Sequence, residues 1–146
     1  MARPDPWRRD PAAYPFTTSV QTRFQDLDPL GHINNVAMAA LFEHGRSIFN
    51  RTQLSERQNR PQGFRWLVAK VEINYLAEGQ YPAPIEVASG IGPIGRSSWT
   101  IFSAAFQNGR CIGLCDTVVV QSAADGAAPL SDAMRAELGQ WVILTT

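Results

Sequence analysis

The stretch from Val36 to Phe42, VAMAALF, carries no polar side chain, and no other segment limits the possible folds so strongly. At 3.6 residues per turn, seven consecutive residues spread around the whole circumference of a helix, so these two turns must be buried on most sides. Packing along one stripe cannot achieve that, but a sheet that curls around the helix can. Asn34 or Asn35 is placed to cap the helix, because an asparagine side chain accepts from the free N–H groups of a first turn. The three alanines, Ala37, Ala39 and Ala40, would let a neighbouring backbone approach closely. Polarity returns with Glu43, His44 and Arg46, and the helix is expected to run out around Arg51 to Ser55.

The rest of the chain supplies the sheet. Phe16, Thr18, Val20, Thr22 and Phe24 alternate with Thr17, Ser19, Gln21, Arg23 and Gln25, the period-two pattern of a half-buried strand. If that strand stays extended, Asp26 and Asp28 inherit its core-facing side, and Pro29 biases Asp28 toward the β region. After a loop from Glu56 to Gly63, Leu67, Ala69, Val71, Ile73 and Tyr75 alternate with Lys70, Glu72 and Asn74 in a long strand. Shorter strands are expected at Ile85 to Ile91, Ser98 to Phe106 and Cys111 to Gln121, the last two joined by Asn108-Gly109, a strong hairpin signal. A small-residue connector from Ser122 to Pro129 leads to Ser131, which reads as the cap of a short helix through about Leu138. Strand, buried helix and then four closely connected strands segregate as α+β architectures do, with one antiparallel sheet around one helix. Sheet edges left free of helix invite pairing with a second copy. The four prolines in residues 1–15 make that stretch an irregular arm on the surface or over a neighbour, leaving 16–146 as a single domain.

With 146 residues, the chain has the length of one domain. Thirteen basic residues balance thirteen acidic ones, so no overall field draws it to nucleic acid or an anionic membrane. No run reaches the roughly 18 apolar residues of a membrane helix, and the first residues lack the apolar core of a signal peptide, so a cytoplasmic protein is expected. Cys111 and Cys115 would stand roughly 13 Å apart along a strand, beyond disulfide reach. Two histidines and two distant cysteines are too few for a zinc centre. Neither a Gly-x-Ser-x-Gly elbow, a P-loop nor a dinucleotide fingerprint is present.

Chemistry is expected where the aspartate-rich turn meets the start of the helix. A carboxylate such as Asp28 can act as nucleophile or general base, and the free N–H groups and positive dipole end of a helix can stabilise a developing oxyanion. The alternative for Asp28 is an Asx-type turn that holds Gly31 and its neighbours. Asp26 suits a turn-stabilising or supporting role. Glu43 can either reach a shared cleft or form a salt bridge with Arg46 or Arg23.

The string Asp28-Pro29-Leu30-Gly31-His32-Ile33-Asn34-Asn35, followed by a buried helix with Glu43 and Arg46, resembles the hotdog-fold thioesterases. More narrowly it is similar to the 4-hydroxybenzoyl-CoA thioesterase-like branch of acyl-CoA thioesterases. The resemblance runs from about Ser19 to Leu138 and includes LVAKVEINYLAEGQY and GRSSWTIFSAAF. It implies the hotdog fold, an antiparallel sheet of five to six strands wrapped around a long central helix. It also implies a homodimer or homotetramer with sheets joined edge to edge and the ligand between subunits. The catalytic carboxylate falls on Asp28, the carbonyl-polarising N–H on Asn35 or Asn34, and Glu43 matches a helix glutamate that serves as base in some relatives. His32 can either contact the substrate or bond a backbone carbonyl, which suits structure or positioning rather than acid–base work. Arg96, with Ser97 and Ser98, matches the strand start that binds the nucleotide portion of coenzyme A, with Arg60 and Arg65 as alternatives. No cofactor is implied beyond the coenzyme A of the substrate. Two rivals stay open: a dehydratase or hydratase pairing Asp28 with His32, and a non-catalytic acyl-CoA-binding subunit.

Overall fold

The computed structural model describes residues 4–54, 60 and 62–144. Six strands and two α-helices are present among them: β1 (Phe16–Val20), α1 (Asn35–Gln53), β2 (Arg65–Tyr75), β3 (Ile85–Ile94), β4 (Ser98–Gln107), β5 (Arg110–Ala123), β6 (Gly126–Ala127) and α2 (Asp132–Gly139). The long helix, expected to run out around Arg51 to Ser55, ends at Gln53, and most of the loop expected from Glu56 to Gly63 lies outside the described residues. The sheet is antiparallel in the order β1-β3-β4-β5-β2, with β6 added to β5. The β4–β5 turn is the expected Asn-Gly hairpin, since Asn108 (φ 51°) and Gly109 (φ 79°) both adopt the left-handed region that a type I′ turn needs.

Side chains on one face of the sheet pack on α1. Val87, Ile101, Cys115 and Val119 alternate with outward neighbours and meet Met38, Leu41, Phe42 and Phe49 of the helix. The closest approach is at Gly45, where an added Cβ would lie 2.5 Å from Val87 Cγ1. A glycine, not the expected alanines, therefore lets α1 settle onto β3. Helix α2 starts at Ser131, whose hydroxyl accepts from Met134 N at 3.1 Å, and Met134 and Leu138 close the core around Phe49.

Two expectations need correction. The first concerns α1, which buries Ala37, Met38, Leu41, Phe42, Gly45, Arg46 and Phe49 but leaves Val36 81% exposed and Ala40 exposed. Within one chain the sheet covers one side of the helix, and a small-residue stripe borders open cavities. The second concerns β2, where the register slips between Val68 and Lys70. Across that bulge Val68 and Val71 border one cavity together with residues of α1, which breaks the even alternation from Leu67 to Tyr75. β2 is also an edge strand of the sheet, and Leu67, Val68, Val71 and Tyr75 stay largely exposed along it.

The opposite face of the sheet carries the first residues. Two 3-10 turns, Pro6–Arg9 and Pro11–Ala13, lay Trp7, Ala13 and Tyr14 over Ala88, Ala104, Phe106 and Leu114. Arg8 anchors this arm through an ion pair with Asp116 of β5, with its guanidinium 4.7 Å from the centroid of the Phe102 ring. Such stacking suits a planar, weakly hydrated cation.

Candidate active site

The site begins where β1 stops early. Strand pairing ends at Val20, and the chain closes a 3-10 turn at Phe24–Asp26 in which the Asp26 carboxylate accepts from Arg23 N at 3.0 Å and Arg23 Nη2 at 2.9 Å. This turn carries Asp26 inward, to 4% exposure, and swings Phe24 out beside the Tyr81 ring. Extended alternation from Phe16 to Phe24 therefore fails at its end, because the charge-assisted bonds to Asp26 outweigh the burial of one phenylalanine. They also hold Arg23 in its raised, fully protonated state, chiefly through the side-chain bond to Asp26.

Asp26 then organises the start of α1. Its carbonyl oxygen accepts from Asn34 N and from Asn34 Nδ2, both at 2.9 Å. Asn34 is the N-cap, its Oδ1 accepting from Ala37 N at 2.8 Å. That leaves the N–H groups of Asn35 and Val36, at the first two helical positions, with no hydrogen bond among the described residues. These are the orphan donors of a helix start, at the positive end of a nineteen-residue dipole.

Asp28 forms the turn that the alternative reading anticipated. Its Oδ1 accepts from Leu30 N at 2.9 Å and His32 N at 3.1 Å, and Gly31, at φ 82°, completes the tight bend. The second oxygen, Oδ2, has no hydrogen-bond partner among the described residues. Asp28 borders a cavity of about 580 Å³ together with Asn34, Asn35, Val36 and Ala40. One carboxylate thus holds the bend with one oxygen and keeps the other available beside the helix start.

The remaining candidates are spread out. His32 lies off this cavity, its Nε2 3.0 Å from Glu78 Oε2. Glu43 is exposed, forms a salt bridge with neither Arg46 nor Arg23, and borders a different cavity about 12 Å along the helix from Asn35. Arg96, Ser97 and Ser98 form the β3–β4 connection at the other end of α1, where the Arg96 carbonyl accepts from Leu130 N and Arg135 Nη2. The nineteen residues of α1 span about 28 Å, so one chain does not bring this hairpin to Asp28. Arg60 and Arg65 are both exposed, and Arg65 opens β2.

One contributor to the site escaped notice in the sequence. A second cavity, of about 460 Å³, shares Arg23, Asp26, Ala37 and Ala40 with the first and extends to Ser19 and His44. His44 lies four residues after Ala40, one turn further along the same stripe. That spacing was the available signal, hidden by the assumption that this side of α1 is covered. Among the described residues no group of His, Cys, Asp and Glu is arranged to hold a metal ion.

Residues 22–138 match the thioesterase-like superfamily. A predicted thioesterase from Bacillus stearothermophilus is 29% identical, covering 90% of this chain and 98% of its own, with a TM-score of 0.77. A thioesterase from Thermus thermophilus, crystallised with coenzyme A and zinc, is 27% identical, covering 88% and 94%, with a TM-score of 0.76. The YbaW protein of Escherichia coli, at 18% identity with 86% and 98% covered and a TM-score of 0.76, shares the fold. A search of curated proteins finds no match.

Proposed function

The chain belongs to the thioesterase-like superfamily and has the hotdog fold, and from that premise we propose that it hydrolyses an acyl-CoA thioester with Asp28 as the reactive carboxylate. The observation that carries this reading is the shared cavity, which Asp28 borders with the uncapped N–H groups of Asn35 and Val36. Asp28 Oδ2 attacks the thioester carbonyl, or takes a proton from the water that does. The carbonyl oxygen gains negative charge and accepts from the helix-start N–H groups, which need no reorganisation to receive it. Collapse of the tetrahedral species breaks the C–S bond and expels the coenzyme A thiolate, which is then protonated. If Asp28 attacks directly, water cleaves the resulting anhydride to release the acid and restore the carboxylate.

The coenzyme A bound to the Thermus thermophilus relative supports a coenzyme A substrate. The exposed apolar side chains of the edge strand β2 support pairing of a second copy along it. Antiparallel pairing would carry Arg96, Ser97 and Ser98 of one copy toward the helix start of the other, where the nucleotide portion needs charge and hydroxyl donors. Two free cysteines, both with thiols pushed up in pKa by burial, fit a reduced cytoplasmic setting.

The test is Asp28→Asn, which preserves an oxygen for the amides of Leu30 and His32 and removes the reactive carboxylate. Thiol release from acyl-CoA should fall by roughly 10²- to 10⁴-fold while the melting temperature holds. Undiminished thiol release would remove Asp28 from the reaction. Loss of enoyl absorbance without thiol release would establish hydration in place of hydrolysis.

A further inference from the structure

Arg46 lies on the buried side of α1 at 9% exposure, and its one hydrogen bond among the described residues is to a neutral group, Thr117 Oγ1, at 3.0 Å. No carboxylate pairs with it among the described residues. A guanidinium cannot shed its proton, so a buried one without a counter-charge is costly unless an anion reaches it. Arg46 also borders a cavity of about 410 Å³ between α1 and β2, together with Glu43, Asn50, Arg51 and Val71. Two guanidinium groups against one carboxylate leave that cavity one positive charge in excess. Asn50 adds a second unmet group, because its Oδ1 is buried with no hydrogen-bond partner. A half-turn of that amide offers its NH2 to an anion instead.

This cavity lies further along the stripe of α1 that starts at the helix N-terminus. Val36, Ala40, Glu43, Ser47 and Arg51 follow one another at intervals of three or four residues, so they share one side of the helix. The near members, Val36 and Ala40, are small and apolar, whereas the far members are polar and charged. From Asn35 to Arg46 is about 17 Å of helix, the reach of an extended chain of on the order of a dozen carbons. We propose that Arg46, with Asn50 and Arg51, forms a carboxylate-binding subsite at the far end of this stripe, selecting acyl-CoA substrates whose acyl chain ends in a carboxylate. This proposal rests on the acyl-CoA reading above.

The experiment uses two coenzyme A thioethers that cannot be hydrolysed, one carrying a dodecyl chain and the other an 11-carboxyundecyl chain, titrated calorimetrically against the full-length protein. The carboxylate-ended thioether should bind at least tenfold more tightly, Arg46→Met should abolish that preference, and Arg46→Lys should keep part of it. In the hydrolytic assay, the ratio of kcat/KM for dodecanedioyl-CoA over dodecanoyl-CoA should fall at least 30-fold in Arg46→Met. Equal binding of the two thioethers, binding of neither, or a preference that survives Arg46→Met overturns the subsite. Dissociation of an oligomer by Arg46→Met or Glu43→Gln with equal thioether affinities would assign the counter-charge to a second copy and also overturn it. A carboxylate preference in binding, without thiol release from either acyl-CoA, would leave the subsite standing and refute hydrolysis.

Discussion

Asn34 ties together both sides of the bend that carries Asp28. Its side-chain oxygen caps Ala37 N, while its backbone N–H and side-chain NH2 both donate to the Asp26 carbonyl. Replacement by alanine removes the cap and one of those two donors, and should destabilise the protein by about 1–2 kcal/mol, measured by urea unfolding. Activity should fall further than stability, because the helix start would lose its fixed distance from the carboxylate. A second prediction concerns pH. Tyr14, under the arm, donates its hydroxyl to Arg8 O at 2.7 Å, and burial, partly opposed by Arg8, pushes its pKa from 10.0 up to about 12. A raised folded-state pKa means that the protonated form is favoured by folding. Its contribution is therefore complete below pH 10 and is lost between about pH 10 and 12, amounting to about 2–3 kcal/mol. Tyr14→Phe should be less stable at neutral pH and show a flatter decline over that interval in chemical denaturation. Asp28 and Asn34 were legible in the sequence because capping and turn formation need particular side chains at fixed offsets. The core-facing side of Asp26 was also legible from parity, but not the 3-10 turn that takes it there, since that depends on the Arg23 side chain folding back on it.

Helix α1 and the β4–β5 hairpin were both readable from periodicity and from Asn108-Gly109. What periodicity could not reveal was which part of the helix is covered, because an all-apolar run looks the same whether it faces a core or an open cavity. Nor does alternation announce a bulge, since the extra residue at Val68–Lys70 leaves a plausible pattern on either side. The close contact at Gly45 belongs with these long-range facts. Gly45→Ala should destabilise by about 1–3 kcal/mol, because Val87 is β-branched and has little freedom to move aside. Val87→Ala combined with Gly45→Ala should recover part of that loss, and thermal unfolding of the single and double variants measures the coupling. The hairpin with Arg96 marks the limit of reading a site from one chain. Its residues match a motif, yet about 28 Å of helix separates it from the turn at Asp28.

The protein is built in three layers, with α1 on one face of the sheet and the proline-rich arm on the other. The composition of residues 1–15 suggested an arm but not its destination, because the sheet residues that hold it, Phe102 and Asp116 for Trp7 and Arg8 and Phe106 for Tyr14, all lie more than eighty residues further along the chain. A chain that begins at Phe16 should melt well below the full protein and bind a hydrophobic dye, since Ala104, Phe106 and Leu114 lose their cover and Asp116 loses Arg8. An unchanged melting temperature would show that the arm is dispensable. Near this arm the last described stretch returns, and Leu144 N donates to Ala13 O at 2.7 Å. That single bond has a practical corollary for protein engineering. The main chain at these two positions lies together behind the sheet, so a covalent cross-link made there between residues 13 and 144 should pin the arm in place and leave the cavities beside α1 untouched.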